Sequence, residues 1–174
     1  MYERLVGQAQ EFCQRLARLD RGERARLRRN AGRTLAESRD VMGLFFQLLP
    51  PGVHPRDEET FFLIATLFPL AGATDEGNLG DALRRAVGER DKQGVERRLQ
   101  RLLDADAQQL PFRLRQCVRF LASKGVPVNW AGLLRDVRYW NHPKHLVQQR
   151  WARHYFAPHT IHPNASTTEQ GKES

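Results

Sequence analysis

Cysteine is scarce in this sequence: Cys13 and Cys117 are the only two among 174 residues. Two thiols are too few for a disulfide framework or a cysteine-ligated zinc centre. Both fall on apolar helical stripes, which predicts buried free thiols. Long apolar runs are missing too. None approaches the roughly 18–20 residues that cross a bilayer as a helix, so no membrane partner is expected. The opening MYERLVGQAQEFCQRL has no basic start, apolar middle or small-residue cleavage site of a signal peptide. A cytoplasmic protein is therefore expected. Period-two alternation and Asn-Gly or Asp-Gly hairpin pairs are lacking, which disfavours a β fold. No glycine-rich phosphate loop follows a strand, and there is no nucleophile elbow.

Acid is the scarcest element of one region. From Gln109 to Phe156, Asp136 is the sole carboxylate among Arg113, Arg115, Arg119, Lys124, Arg135, Arg138, Lys144, Arg150 and Arg153. That segment alone accounts for the formal net charge of +8. A second block, RGERARLRRNAGRT at 21–34, sets Arg21, Arg24, Arg26, Arg28, Arg29 and Arg33 against Glu23. Two basic blocks on a balanced background are the footprint of a polyanion partner. Arginine outnumbers lysine 24 to 4. Its guanidinium forks onto phosphate oxygens and stacks on bases.

What remains is helical periodicity. Helices are expected at about 2–20, 38–49, 56–71, 79–87, 95–106, 110–123, 130–140 and 144–156, with a short basic segment around ARLRR. The expected fold is an all-α, two-lobed bundle of about eight or nine helices. It forms one domain over 1–156, with an N-terminal lobe to about 71, a loose polar junction at 72–94 and a C-terminal lobe at 95–156. Residues 157–174 are nearly free of apolar side chains and read as a disordered tail. Gly125 and Pro127 stop one helix, Asn129 caps the next, and Pro143 is placed in the first turn of the last.

On 110–123 a 100° step puts Leu114, Cys117, Val118 and Leu121 inward, with Arg115 and Arg119 opposite beside Phe112. On 130–140, Trp130, Leu133, Leu134, Val137 and Trp140 face the core while Arg135 and Arg138 share another face. On 144–156, Val147, Trp151 and Tyr155 are inward and Arg150 and Arg153 outward. The pattern predicts Arg pairs without acidic partners on three successive helices, where an ordinary surface would mix signs. Tryptophans and Tyr139 are candidates for stacking on bases, but their spacing favours the core.

Catalytic chemistry finds little support. His142 and His145 lie one turn apart, yet no Asp, Glu or Cys nearby completes a metal set and Lys144 between them repels a cation. Asp57, Glu58 and Glu59 suit a helix N-terminus better than an acid–base site. His154, His159 and His162 read as surface or tail residues. No enzyme activity, metal or other cofactor is expected.

Several segments together resemble a known family. LRR at 27–29 ahead of FFQLLP, LGDALRRA at 79–86, ERRLQRLLDAD at 96–106, RLRQ at 113–116 and GVPVNWAGLLRDVRYWNHPKHLVQQRWARHYF at 125–156 are similar to the CasB family. This is the small-subunit family of the type I-E CRISPR surveillance complex, Cascade. The resemblance implies an all-helical protein without activity of its own, acting in antiviral defence. It implies as partners the other Cascade subunits, a second copy of the chain, crRNA, and the target and non-target DNA strands. It assigns backbone contact to Arg29 with Arg28 beside it, Arg56, Arg98, Arg115 and Lys144. The turn carrying His142-Pro143-Lys144 departs from a more basic family pattern. With the charge pattern, the candidate nucleic-acid-binding set is Arg28, Arg29, Arg56, Arg98, Arg113, Arg115, Arg119, Arg135, Arg138 and Lys144. The rival readings are a stand-alone helical RNA- or DNA-binding protein and a basic adaptor for acidic proteins.

Overall fold

Leu5, Ala9, Phe12 and Leu16 recur at helical spacing, and all four are buried on the first helix, α1 (Tyr2–Ala17). A computed structural model describes residues 2–157. The second helix, α2 (Arg21–Arg29), occupies the basic segment. It buries only Leu27, so an apolar stripe does not explain it. A capping box does: Glu23 N–H donates to Asp20 Oδ1 at 2.8 Å, and Asp20 N–H to Glu23 Oε2 at 3.0 Å. Arg24 ties α2 to the end of α1 by donating to the carbonyls of Leu19 and Ala17.

Helix α3 (Arg39–Leu48) stops before Pro50-Pro51, where Gly52 takes a φ of 72°. A 3₁₀ turn at Pro55–Asp57 leads into α4 (Glu58–Leu67). Phe61, Phe62, Ile64, Ala65 and Leu67 of α4 are buried, and so is Phe68 just after it. After a second 3₁₀ turn at Phe68–Leu70 come α5 (Leu79–Ala86), α6 (Lys92–Leu103), α7 (Leu110–Ser123), α8 (Trp130–Arg138) and α9 (Leu146–Phe156). The described residues thus form the expected all-α bundle, with nine α-helices.

Three details differ from expectation. The segment 72–94 is anchored where α5 lies. Leu79, Ala82, Leu83 and Ala86 are buried, and α5 packs along α9. Helix α6 begins about one turn early. Helix α9 begins after Pro143, because His145 adopts a left-handed φ of 47° and His142 Nδ1 accepts the Lys144 N–H at 3.2 Å. That turn breaks the helix that proline would otherwise have opened.

One continuous core runs from α1 to α9. Phe12 packs edge-on to Phe45 and Phe61, at centroid distances of 6.3 and 5.0 Å. Trp130, Trp140 and Trp151 are all buried. Each indole N–H finds an acceptor: the Gly72 carbonyl, the Ala105 carbonyl and Asp136 Oδ2 respectively. The tryptophans are therefore core, not stacking platforms. Gly125 takes a φ of 66° after α7. Asn129 caps α8 through Gly132 N–H and also donates to the Asp75 and Gly77 carbonyls, which pins the 72–78 loop to the α7–α8 connection. Cys117 is buried and Cys13 half-buried. Burial pushes both thiols up to about 12. The expected tail, apart from Ala157, lies outside the described residues, as do His159 and His162.

Candidate nucleic-acid interface

The last turn of α2 presents Arg28 and Arg29, both exposed. The basic block around them divides by role. Arg24 and Arg26 donate to main-chain carbonyls, Arg26 to that of Asp40. Arg21, Arg28, Arg29 and Arg33 form no ion pair among the described residues. A chain segment that caps α2 at its start with acids therefore ends in unneutralised cations.

Arg113, Arg115 and Arg119 sit on α7. Arg119 is exposed; Arg113 and Arg115 are half-buried. Arg113 lies over the Phe112 ring, 5.4 Å from its centroid. Arg98 on α6 lies over Phe120 at 5.0 Å, and Lys124 approaches the same ring at 5.7 Å. Phe120 thus gathers two cations at one end of α7, a favourable arrangement for the ring quadrupole. Lys124 is also ion-paired with Asp91 at 2.5 Å.

Helices α8 and α9 correct the expected pattern. Arg138 is ion-paired with Asp57, which also lies 3.8 Å from Arg56. Arg150 is ion-paired with Asp136. On each of these helices, one member of the outward pair therefore has an acidic partner. Arg135 donates to the Ala131 carbonyl, and exposed Lys144 stands in the turn before α9 with no ion pair among the described residues. The candidates are dispersed: Arg28 and Arg29 at the end of α2, Arg113, Arg115 and Arg119 on α7, Arg98 beside Phe120, Arg56 with Arg138 around Asp57, and Arg135 and Lys144 apart from these.

Between the α2–α3 connection, α4, the start of α7 and the end of α8 lies a cleft of about 750 Å³. Gly32, Arg33, Thr34, Glu59, Phe112 and Arg115 are among its lining residues, over apolar Leu63, Leu110, Val137 and Trp140. Gly32 takes the left-handed φ of 91° that turns the loop beside Arg115, whose Nη1 is 3.5 Å from where a Cβ would stand. Arg115 Nε is buried with no hydrogen-bond partner. Sequence reasoning selected Arg115 but missed Arg33, because only the fold brings the loop to α7. The asparagine–alanine–glycine turn ahead of Arg33 was its one available signal. Among the described residues no cluster of three or more His, Cys, Asp or Glu is placed to hold a metal.

Comparison with known proteins gives a consistent result. A family model described as CRISPR-associated protein Cse2 matches residues 23–156. A CRISPR-associated protein Cse2 from Thermus thermophilus is 34% identical, with 71% of this chain and 79% of that protein covered. Among solved structures, a Cse2-family protein from Thermus thermophilus superposes with a TM-score of 0.75 at 29% identity, over 86% of this chain and 98% of that one. CasB from M. ruber gives a TM-score of 0.71 at 30% identity, over 86% and 92%. A chain of a CRISPR RNA-guided surveillance complex shares the fold, with a TM-score of 0.75 at 23% identity over 87% and 92%.

Proposed function

The chain belongs to the Cse2 family of CRISPR-associated proteins, and from that premise we propose that it is the non-catalytic small subunit of a type I-E Cascade complex. Its cationic helical faces hold the backbones of guide RNA and target DNA and stabilise the displaced non-target strand. It works beside the other Cascade subunits and a second copy of itself. The fold it shares with a surveillance-complex chain supports that setting. The observation that carries the reading is Arg28, Arg29, Arg98, Arg115 and Arg119 without ion pairs among the described residues, while Asp57, Asp91 and Asp136 are consumed by other cations.

Phosphate contacts position a strand without reading its sequence. R-loop formation is a near-balanced exchange that such contacts tip. The triple variant Arg29→Ala/Arg98→Ala/Arg115→Ala should weaken binding to single-stranded DNA and reduce R-loop stability, with helicity unchanged by circular dichroism. The salt slope should fall by roughly 0.7 for each phosphate no longer neutralised. Unchanged affinity in a low-salt gel shift would overturn the proposal.

A further inference from the structure

The cleft beside α7 offers chemistry that phosphate neutralisation alone does not use. At about 750 Å³ it lies in the range of small-ligand sites. Phe112 keeps 56% of its surface exposed, and Arg113 lies over its ring. Leu110 and Trp140 give the cleft a buried apolar floor. Arg115 Nε is already desolvated and has no acceptor, a costly state for a charged donor. Neither Arg33 nor Arg115 forms an ion pair among the described residues. The site therefore combines an aromatic platform, an apolar floor and two available guanidinium groups.

We propose that this cleft takes one unstacked nucleotide of the bound strand, its base against Phe112 and its phosphate on Arg115 and Arg33. The assignment rests on the nucleic-acid-binding reading above. A purely apolar side chain from a protein partner would cover the floor and leave Arg115 unpaired. An acidic peptide would pair with the arginines but offer no planar ring to the exposed Phe112 face, and Glu59 also lines the cleft. Glu59 accepts the Leu35 N–H with both oxygens, each at 3.2 Å. A carboxylate oxygen accepts more than one hydrogen bond, so Glu59 tolerates a base that carries an exocyclic amine. A nucleotide answers each feature with one molecule: a planar ring, polar edges and an anion.

The test compares the full chain's affinity for a base-bearing single strand and for an abasic phosphodiester strand of equal length, by fluorescence anisotropy. The base-bearing strand should bind about tenfold tighter, the worth of one good base–aromatic stack. Phe112→Ala should bring the two affinities together, and Phe112→Trp should keep them apart. The Phe112 ring is largely outside the core, so the alanine variant retains its fold. Equal, strong binding of both strands by the unsubstituted protein would overturn the cleft assignment and leave the phosphate reading standing. Failure of both strands to bind would overturn both readings. Tighter binding of deoxyadenosine monophosphate than of the strand would make a free nucleotide the ligand and overturn the strand assignment.

Discussion

Asp136 is the only acid between Gln109 and Phe156, and the fold turns it inward. Its Oδ2 accepts the Trp151 indole N–H at 2.6 Å, and its Oδ1 pairs with Arg150. Burial pushes the carboxyl above its usual range, and the Trp151 and Arg150 contacts pull the other way without overcoming it. The folded state therefore holds this proton more tightly than the unfolded chain. Stability from the site is fully present below the ordinary carboxylate pKa and is lost as pH rises through the raised value. Asp136→Ala should cost about 2–4 kcal/mol, since it leaves a buried indole N–H without an acceptor. Asp136→Asn keeps an acceptor, should cost less, and should flatten the pH dependence in the acidic range. Urea titrations across pH check both, and an alanine variant as stable as the parent would refute the argument. The same residue shows the limit of reading side chains from spacing. The periodicity put Arg150 on an outward face, and it is exposed, but the acid that meets it belongs to α8. Arg138 likewise meets Asp57 from the turn before α4. Pairing between elements is set by how helices cross, and neither helix encodes that alone.

At the scale of elements, the crossing of α5 and α9 depends on one atom's absence. A Cβ at Gly80 would stand 2.2 Å from the Trp151 carbonyl oxygen and 2.9 Å from its carbon. Both obstacles are backbone, so relief requires the helices to part. Gly80→Ala should destabilise the protein by roughly 1–3 kcal/mol, despite alanine's better helix propensity. Gly43, inside α3, has nothing within 4 Å of where a Cβ would stand. Gly43→Ala should instead stabilise by about 0.5–1 kcal/mol. Opposite signs for the two in chemical denaturation is the expected outcome; a neutral Gly80→Ala would mean the close approach does not hold the helices. The α5 sequence is legible as a short helix, and the stripes of α1, α4, α7 and α8 are legible as core, because apolar spacing reports burial directly. Helix α2 is harder: six arginines nearby mask it, and only the Asp20–Glu23 spacing announces it. The start of α9 is misleading in sequence, because proline at 143 fits a helix start as well as a turn until His145 is seen in the left-handed region. At the candidate interface, residue types are legible and convergence is not. Nothing in either local pattern says that the loop bearing Arg33 reaches α7.

The described residues are held by one core rather than two. Helix α1 packs along α8 and α4 along α8, so the first and last thirds of the chain share buried surface. Phe68, which follows α4, packs against Trp130 at 5.5 Å, and Trp130 opens α8. Such shared burial makes separate melting of the two halves expensive, because either half would expose the face that the other covers. A fixed frame also matters for the proposed role, since cations on α2 and α7 keep their spacing only if these helices move together. The expectation is a single cooperative unfolding transition. The probes are well placed to test it: all three tryptophans lie at or after position 130, whereas far-UV circular dichroism reports every helix. Phe12→Ala, in α1, should lower stability by about 3–5 kcal/mol and shift both signals by the same amount. If α1–α4 formed an independent unit, the substitution would move the dichroism curve and leave the late part of the fluorescence curve in place. Superimposed curves before and after the substitution would show that α1 and the tryptophan-bearing helices unfold as one.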